Sequence, residues 1–267
     1  MHIIVLIKQV PEMDKVLFDS EKGRIDRKSA GVEVNPFDLN ALETAVAIKE
    51  QTGAEISVLS MGPNRAEEAL KEAVARGADN AYLLSDQKFA GADTIATSAS
   101  LAAAVETIGA YDLIIAGEMS VDGDTAQVGP QTAEFLNINH AAYVSELISL
   151  NESEITIKTS LWQANYSKSF SYPLLITVTK DINTPRLPSF KAKLKARKAE
   201  VKNLTLADIK EKLKIDKVGF KGSPTWVDNI VVPAEISRKT KVFSEEEKES
   251  AYHKIKEILI EKNLMED

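Results

Sequence analysis

The residues best suited to chemistry follow the apolar run Leu113–Ala116: Gly117, Glu118, Met119, Ser120, Val121, Asp122, Gly123, Asp124, Thr125, Ala126, Gln127, Val128, Gly129 and Pro130. A strand-like pattern breaks there into small, acidic and hydroxyl-bearing residues and then restarts with helical spacing. Backbone N–H groups in the opening turn of a helix have no partner inside it, and their dipoles favour negative charge, so a phosphate suits such a loop. Asp122-Gly123-Asp124 also fits a type I turn that binds nothing. Neither Gly-x-x-x-x-Gly-Lys-Ser/Thr nor Gly-x-Gly-x-x-Gly occurs in the chain, so the two familiar phosphate loops are absent and the surroundings must decide.

Composition narrows the chemistry. The 267 residues contain no cysteine, which excludes disulfides, thiolate metal sites, cysteine-ligated iron–sulfur clusters and cysteine nucleophiles in this chain. His2, His140 and His253 lie far apart, and structural roles are expected of them rather than metal ligation or acid–base work. A net charge of −7 speaks against general nucleic-acid binding. The apolar runs are too short for a membrane span and no signal segment precedes the first strand, so a cytoplasmic location is expected.

The elements that must hold the loop are legible from period and punctuation. His2–Ile7, Glu55–Ser60, Ala81–Leu84 and Leu113–Ala116 read as strands buried on both faces. Between them, Asn35 as N-cap, Pro36 at the first helical position and Gly53 beyond the end predict a helix over Pro36–Thr52. Asn64 with Glu67 has capping-box spacing and Gly77 closes that helix, while Asp93 and Gly109 bracket a third. This alternation predicts a doubly wound α/β fold with a mostly parallel sheet, whose ligands sit at the carboxyl ends of the strands. Three loops fall on that edge: Lys8–Pro11, Met61–Asn64 and the segment after Gly117.

Beyond Leu136 the pattern changes. Glu154–Leu161 and Lys168–Tyr172 read as a hairpin addition, and Leu174–Val178 as one more apolar strand. Asp181–Pro188 reads as an exposed loop. Lys191, Lys193, Lys195 and Arg197 alternate with small or apolar residues, so an extended chain would present one basic edge, either a solvated edge strand or a docking surface. From Asn203 the sequence is charged and interrupted, with a short helix near Leu206–Leu213 and a last helix opened by Ser244 and Glu247. The expected division is therefore a nucleotide-binding α/β domain over residues 1–202 and a C-terminal arm over 203–267. Trp226, Val227, Ile230, Val231 and Val232 must pack on the main domain or on another subunit, and an arm packed on a partner subunit is the expected arrangement.

Taken in order, Lys8-Gln9-Val10-Pro11, Asn35-Pro36-Phe37-Asp38, Ser60-Met61-Gly62-Pro63, Arg76-Gly77-Ala78-Asp79, Asp122–Pro130 and Asn183–Pro188 resemble the β subunit of electron transfer flavoproteins over nearly the whole chain. The resemblance implies an adenine-nucleotide-binding fold and a heterodimer with a flavin-carrying α subunit. The β subunit of that family holds AMP, or a second FAD in electron-bifurcating members. Nucleotide contacts are then expected at Leu6, Lys8, Asn35, Pro36, Phe37, Asp38 and Met61 and along Glu118–Gly129. Asn35 serves either as helix cap or at the adenine edge, and Met61 either as contact or as core filler. Ile182, Asn183, Thr184, Pro185, Arg186, Leu187 and Pro188 look like the loop that docks a partner dehydrogenase, with Ile182 and Leu187 as apolar anchors and Arg186 and the Lys191–Lys198 cluster as rim.

Gly123 and Ala126 remove bulk beside the expected diphosphate, which makes the loop more similar to bifurcating subunits and favours FAD over AMP. In that reading NADH is the electron donor, and electrons pass to the α-subunit flavin and to ferredoxin or flavodoxin. The cofactor carries the redox chemistry, and no proton-transfer role is assigned to Glu118, Asp122 or Asp124. The alternatives are a non-bifurcating β subunit with structural AMP and a non-redox regulatory module similar to small stress-type ATP-binding proteins.

Overall fold

In the computed structural model of the chain, the period-two alternation of β1 (His2–Leu6) sets the layering. Ile3 and Val5 belong to one buried cluster and Ile4 to another, so the strand is covered on both faces. The structure describes residues 1–12, 15, 17–19, 24–26, 31–161, 164–213, 215–228, 242–262 and 264–265. Ile230, Val231 and Val232 fall outside them.

Two short antiparallel pairs follow β1: β2 (Gln9–Pro11) with β5 (Val32–Val34), and β3 (Leu17–Asp19) with β4 (Arg24–Asp26). Then come α1 (Pro36–Thr52), β6 (Glu55–Met61), α2 (Glu67–Arg76), β7 (Asn80–Leu84), α3 (Thr94–Ile108), β8 (Leu113–Gly117) and α4 (Val128–Phe135). The sheet adds β9 (Asn139–Leu150), β10 (Glu154–Leu161), β11 (Ala164–Ser171), β12 (Leu174–Val178) and β13 (Lys202–Leu204). Its order is β11-β10-β9-β12-β8-β1-β6-β7-β13, parallel except at the pairings of β10 with β9 and β11. From β1 the chain moves outward through β6 and β7, then returns across the sheet through α3 to β8 on the other side of β1. The order therefore reverses between β1 and β8, where open α/β sheets place a ligand crevice. Helices α1 and α2 pack on one face, α3 and α4 on the other.

Gly53 ends α1 in the left-handed region at φ 73, and Asp93 caps α3 by accepting from Ala96 N at 3.0 Å, both as the sequence predicts. Two local expectations fail, and one strand goes unforeseen. The expected capping box of α2 does not form: the chain enters through a 3-10 turn at Asn64–Ala66, and Asn64 Oδ1 accepts from the Ser85 hydroxyl instead. The basic stretch is not extended but forms α5 (Phe190–Ala196), capped by Ser189 accepting from Ala192 N. Alanine, leucine and lysine are strong helix formers, and a helix scatters the alternating lysines around its circumference instead of lining one edge. The long strand β9 is invisible to pattern reading because only part of it is buried.

Contacts within the chain define two compact units, residues 1–230 and 231–267. Residues from 203 onward that the sequence assigns to an arm reach into the first unit: Asn203 and Leu204 of β13 pair with β7, and α6 (Leu206–Ile209) and Val218 bury apolar side chains in the α3 layer. A further short helix, α7 (Gly219–Gly222), follows. In the second unit, Ser244 and Glu247 form the predicted capping box ahead of α8 (Lys248–Glu261), which exposes Tyr252, Ile255 and Ile258. No helix among the described residues is long and apolar enough to cross a membrane.

Candidate functional site

The reversal point is built by one buried carboxylate. Asp38, in the first turn of α1, accepts from the backbone N–H of Lys8 at 2.8 Å and of Gly117 at 3.2 Å, joining the carboxyl ends of β1 and β8. Burial pushes its pKa up to about 7, against the opposing pull of Lys8, Asn35 and Gly117. Gly117 permits this approach, since a Cβ there would sit 2.6 Å from both Asp38 Oδ1 and Phe37 Cβ.

Asn35 neither caps α1 nor points its amide at open cleft. Its Nδ2 donates to the Met119 carbonyl at 2.8 Å and its Oδ1 accepts from Val121 N at 3.2 Å, so it pins the loop after β8. Lys8 holds the next two positions: Nζ donates to Ser120 Oγ at 3.2 Å and pairs with Asp122 Oδ1 at 2.5 Å. Ser120 O accepts from Gly123 N at 3.2 Å and from Asp124 N at 2.8 Å, so the turn expected at Asp122–Asp124 is present within the loop.

The loop's end has the geometry of an anion cradle. Asp124 and Ala126 adopt left-handed φ values of 52 and 53, rare for residues with a Cβ. Gln127 follows in the right-handed region at φ −101, ψ −30, immediately before α4. A left-handed residue followed by a right-handed one turns successive N–H groups to one side, forming the nest that binds anions, here at a helix N-terminus. Thr94 Oγ1 donates to Gln127 Oε1 at 2.9 Å, so the start of α3 is tied to the same cradle.

These groups open onto a cleft of about 1050 Å³. Of the predicted contacts, Leu6, Lys8, Asn35, Asp38, Met61, Glu118, Met119, Ser120, Asp122, Gly123 and Thr125–Gly129 line it, whereas Pro36, Phe37, Val121 and Asp124 do not. Gly129 has a second role, because a Cβ there would overlap the Thr177 methyl; its absence lets α4 lie close on β12. Burial and the nearby Asp181 carboxylate raise the Glu118 pKa, with Lys180 opposing. The sequence reading missed a whole wall: Ser85–Gln87, Phe89–Thr94, Thr97, Leu101, Thr225 and Val227. The signal for its first part was present, since a cap at Asp93 fixes the N-terminus of α3 on the same edge of the sheet as the other three loops.

The expected docking segment is clamped to α1. Asn40 Nδ2 donates to the carbonyls of Lys180 (3.1 Å) and Asn183 (2.9 Å), and Asn183 Nδ2 returns bonds to Asn40 O (3.0 Å) and Thr44 Oγ1 (2.8 Å). The Arg186 guanidinium pairs with Glu43 at 2.9 Å and Glu50 at 2.6 Å, while its carbonyl accepts from Arg76. Arg186 is thus a strut rather than an open rim charge. Ile182 packs against the core, Asn183, Pro185 and Pro188 are half-buried, and Thr184 and Leu187 face outward, Leu187 being 87% exposed. Phe190 and Leu194 of α5 are exposed beside it, among the lysines.

The electron transfer flavoprotein domain matches residues 22–209 of the chain. The chain is 44% identical over 230 residues to the electron transfer flavoprotein subunit beta of Thermoanaerobacterium thermosaccharolyticum, covering 85% of this chain and 86% of that protein. It is 36% identical to the protein FixA of Azorhizobium caulinodans over 273 residues, covering 100% of this chain and 97% of that one. The caffeyl-CoA reductase-Etf complex subunit CarD of Acetobacterium woodii is 39% identical over 228 residues, with 85% and 86% covered. A match over most of the chain identifies it: the chain belongs to the electron transfer flavoprotein family, among its β subunits and FixA proteins.

Proposed function

We propose that this chain is the β subunit of a cytoplasmic αβ electron transfer flavoprotein, that its cleft holds FAD, and that the complex couples NADH oxidation to a flavin-dependent dehydrogenase by electron bifurcation, with ferredoxin or flavodoxin as low-potential acceptor. The observation that carries the FAD reading is the cleft's size. At about 1050 Å³ it stands at the upper end of the roughly 300–1,000 Å³ common for ligand sites, and it extends past the anion cradle to the N-terminus of α3.

The donor set fits such a ligand. The amides of Ala126, Gln127 and Val128 suit a diphosphate, Leu6 and Met61 supply apolar contact near the reversal point, and Ser120, Thr125 and Thr94 add hydroxyls. FAD bound there would supply the exchange of electrons in pairs and singly. The protein's own contribution is to bind, orient and set the local field: Asp38 fixes the two strand ends, Asn35 and Lys8 fix the loop, and Leu187, with Arg186 beneath it, presents an apolar contact to the dehydrogenase. That one relative is named as part of a caffeyl-CoA reductase-Etf complex supports a reductase or dehydrogenase as partner.

The test is copurification with the co-expressed α subunit, followed by acid extraction and chromatography of the released nucleotides. Two FAD per heterodimer are expected. One FAD with one AMP would replace the bifurcating reading by a structural-AMP subunit, and a stable chain that binds ATP without any α partner would favour a regulatory module.

A further inference from the structure

Residues 223–227 belong to no strand or helix, yet they are tied to the start of α3. Asp93 divides its carboxylate between two tasks. Oδ1 accepts from Ala96 N at 3.0 Å and caps the helix; Oδ2 accepts from the backbone N–H of Thr225 at 3.0 Å and from its hydroxyl at 2.8 Å. The Asp93 N–H donates to Ser223 Oγ at 2.8 Å, and that hydroxyl donates to the Gly219 carbonyl at 2.8 Å. One step earlier, Phe220 N donates to the Ala90 carbonyl at 3.0 Å, and Gly219, at φ 58, lies so close that a Cβ would overlap the Lys88 carbonyl oxygen. Two rungs therefore fasten this strap to the 88–93 loop.

The strap's inner residues face the cleft. Thr225 and Val227 line it, and Val227 is 78% exposed, so its isopropyl group is held at the opening without packing into the core. Asn35 and Asp38 enter the cleft from α1, on one face of the sheet, and Asp93 from α3, on the other. The strap therefore lies across the cleft from the α1 side, while the Thr94–Gln127 bond ties the start of α3 to the anion cradle.

We propose that Thr225 and Val227 form the wall that contacts the part of the ligand beyond its first phosphate, and that Asp93 is the positioning residue that holds them there. The inference rests on the reading of the cleft as an adenine-nucleotide site whose adenosine end lies at the reversal point. A mononucleotide seated there ends at the cradle and never reaches the strap; a dinucleotide continues onto it. The strap thus determines preference for the longer ligand.

The experiment titrates AMP and FAD, as separate probes, into the nucleotide-depleted heterodimer with its α-subunit flavin retained. Val227→Trp fills the α3 end from an exposed position. Asp93→Asn keeps an N-cap acceptor for Ala96 but cannot also accept both Thr225 bonds through its amide nitrogen. Val227→Trp is expected to weaken FAD binding about tenfold or more and to change AMP binding less than about twofold, with Asp93→Asn shifting the two probes in the same pattern by about threefold for FAD. Unchanged FAD affinity in Val227→Trp, or equal losses for the two probes in either variant, would overturn the assignment. If the unsubstituted heterodimer binds neither probe at this site, the nucleotide-site reading itself is wrong and the strap assignment goes with it.

Discussion

Replacing Asp38 by Asn removes a buried titratable carboxyl at nearly constant volume, and the effect on stability must depend on pH. Both carboxylate oxygens accept a backbone N–H, at 2.8 Å from Lys8 and 3.2 Å from Gly117. Asparagine offers one acceptor, so one buried N–H loses its partner at a cost of about 1–3 kcal/mol. The wild-type carboxyl carries a different cost: burial raises its pKa from 3.8 to about 7. Between those values the unfolded chain has given up a proton that the folded chain still holds, so stability falls as pH rises. This contribution is whole below the unfolded-state pKa, is lost as pH climbs through 7, and is flat above. At 1.36 kcal/mol per pKa unit the loss has an upper limit of about 4 kcal/mol. Urea unfolding of wild type and Asp38→Asn, followed by circular dichroism between about pH 4 and pH 8, isolates the term because all other titrations cancel in the difference. The advantage of wild type over the variant should shrink with rising pH. A difference that stays constant across the window would show that the carboxylate remains ionised when folded, with the two N–H donors outweighing burial, and would refute the reasoning.

Two further outcomes follow from packing and exposure. Gly129→Ala should destabilise by about 1–3 kcal/mol through overlap with the Thr177 methyl, and adding Thr177→Ser, which deletes that methyl, should recover most of the loss in thermal or urea unfolding; no recovery would mean that the approach of α4 to β12 is not why glycine stands there. Leu187→Ala should leave stability and bound nucleotide unchanged while weakening dehydrogenase docking by about 1–2 kcal/mol, read as a higher half-saturating partner concentration. Ile182→Ala should instead lower stability, by about 1–2 kcal/mol, because that side chain packs inward; the opposite pattern in the two variants would exchange their roles.

The sheet and its helices were legible because their signals are local. Pro36 and Gly53 bound α1, and β8 and β12 are apolar at nearly every position because helices cover both faces. The reversal point was legible too, since strand–helix alternation places the loops after β1, β6 and β8 on one edge. What the sequence conceals is how polar side chains are spent over long range. Asn35 stands where an N-cap stands, yet its amide is used on Met119 and Val121, more than 80 positions away, where no spacing rule reaches. Arg186 sits in a loop rich in turn formers and reads as free, while its guanidinium is held by two glutamates of α1. The strap over the α3 end of the cleft depends on Ser223 and Thr225 meeting Asp93 across about 130 positions, a contact that only the folded chain reveals.

The distribution of buried polar groups along α1 shows what that helix is for. Packing against a sheet requires only an apolar stripe, and Ala41, Leu42, Ala45 and Ile48 supply it. Yet Asn35, Asp38, Asn40 and Thr44 are also buried, and each costs free energy unless hydrogen-bonded. All four are satisfied by partners at strand ends or on loops: Asn35 and Asp38 by the strand ends and the loop of the cleft, Asn40 and Thr44 by the segment of Lys180 and Asn183. Glu43 and Glu50 continue the series to Arg186. Apolar residues of similar size at these positions would fill the same space without the desolvation cost, but they would release both loops. The helix therefore gives up part of its own packing energy to fix, from one rigid element, the loop at the cleft and the loop that presents Leu187.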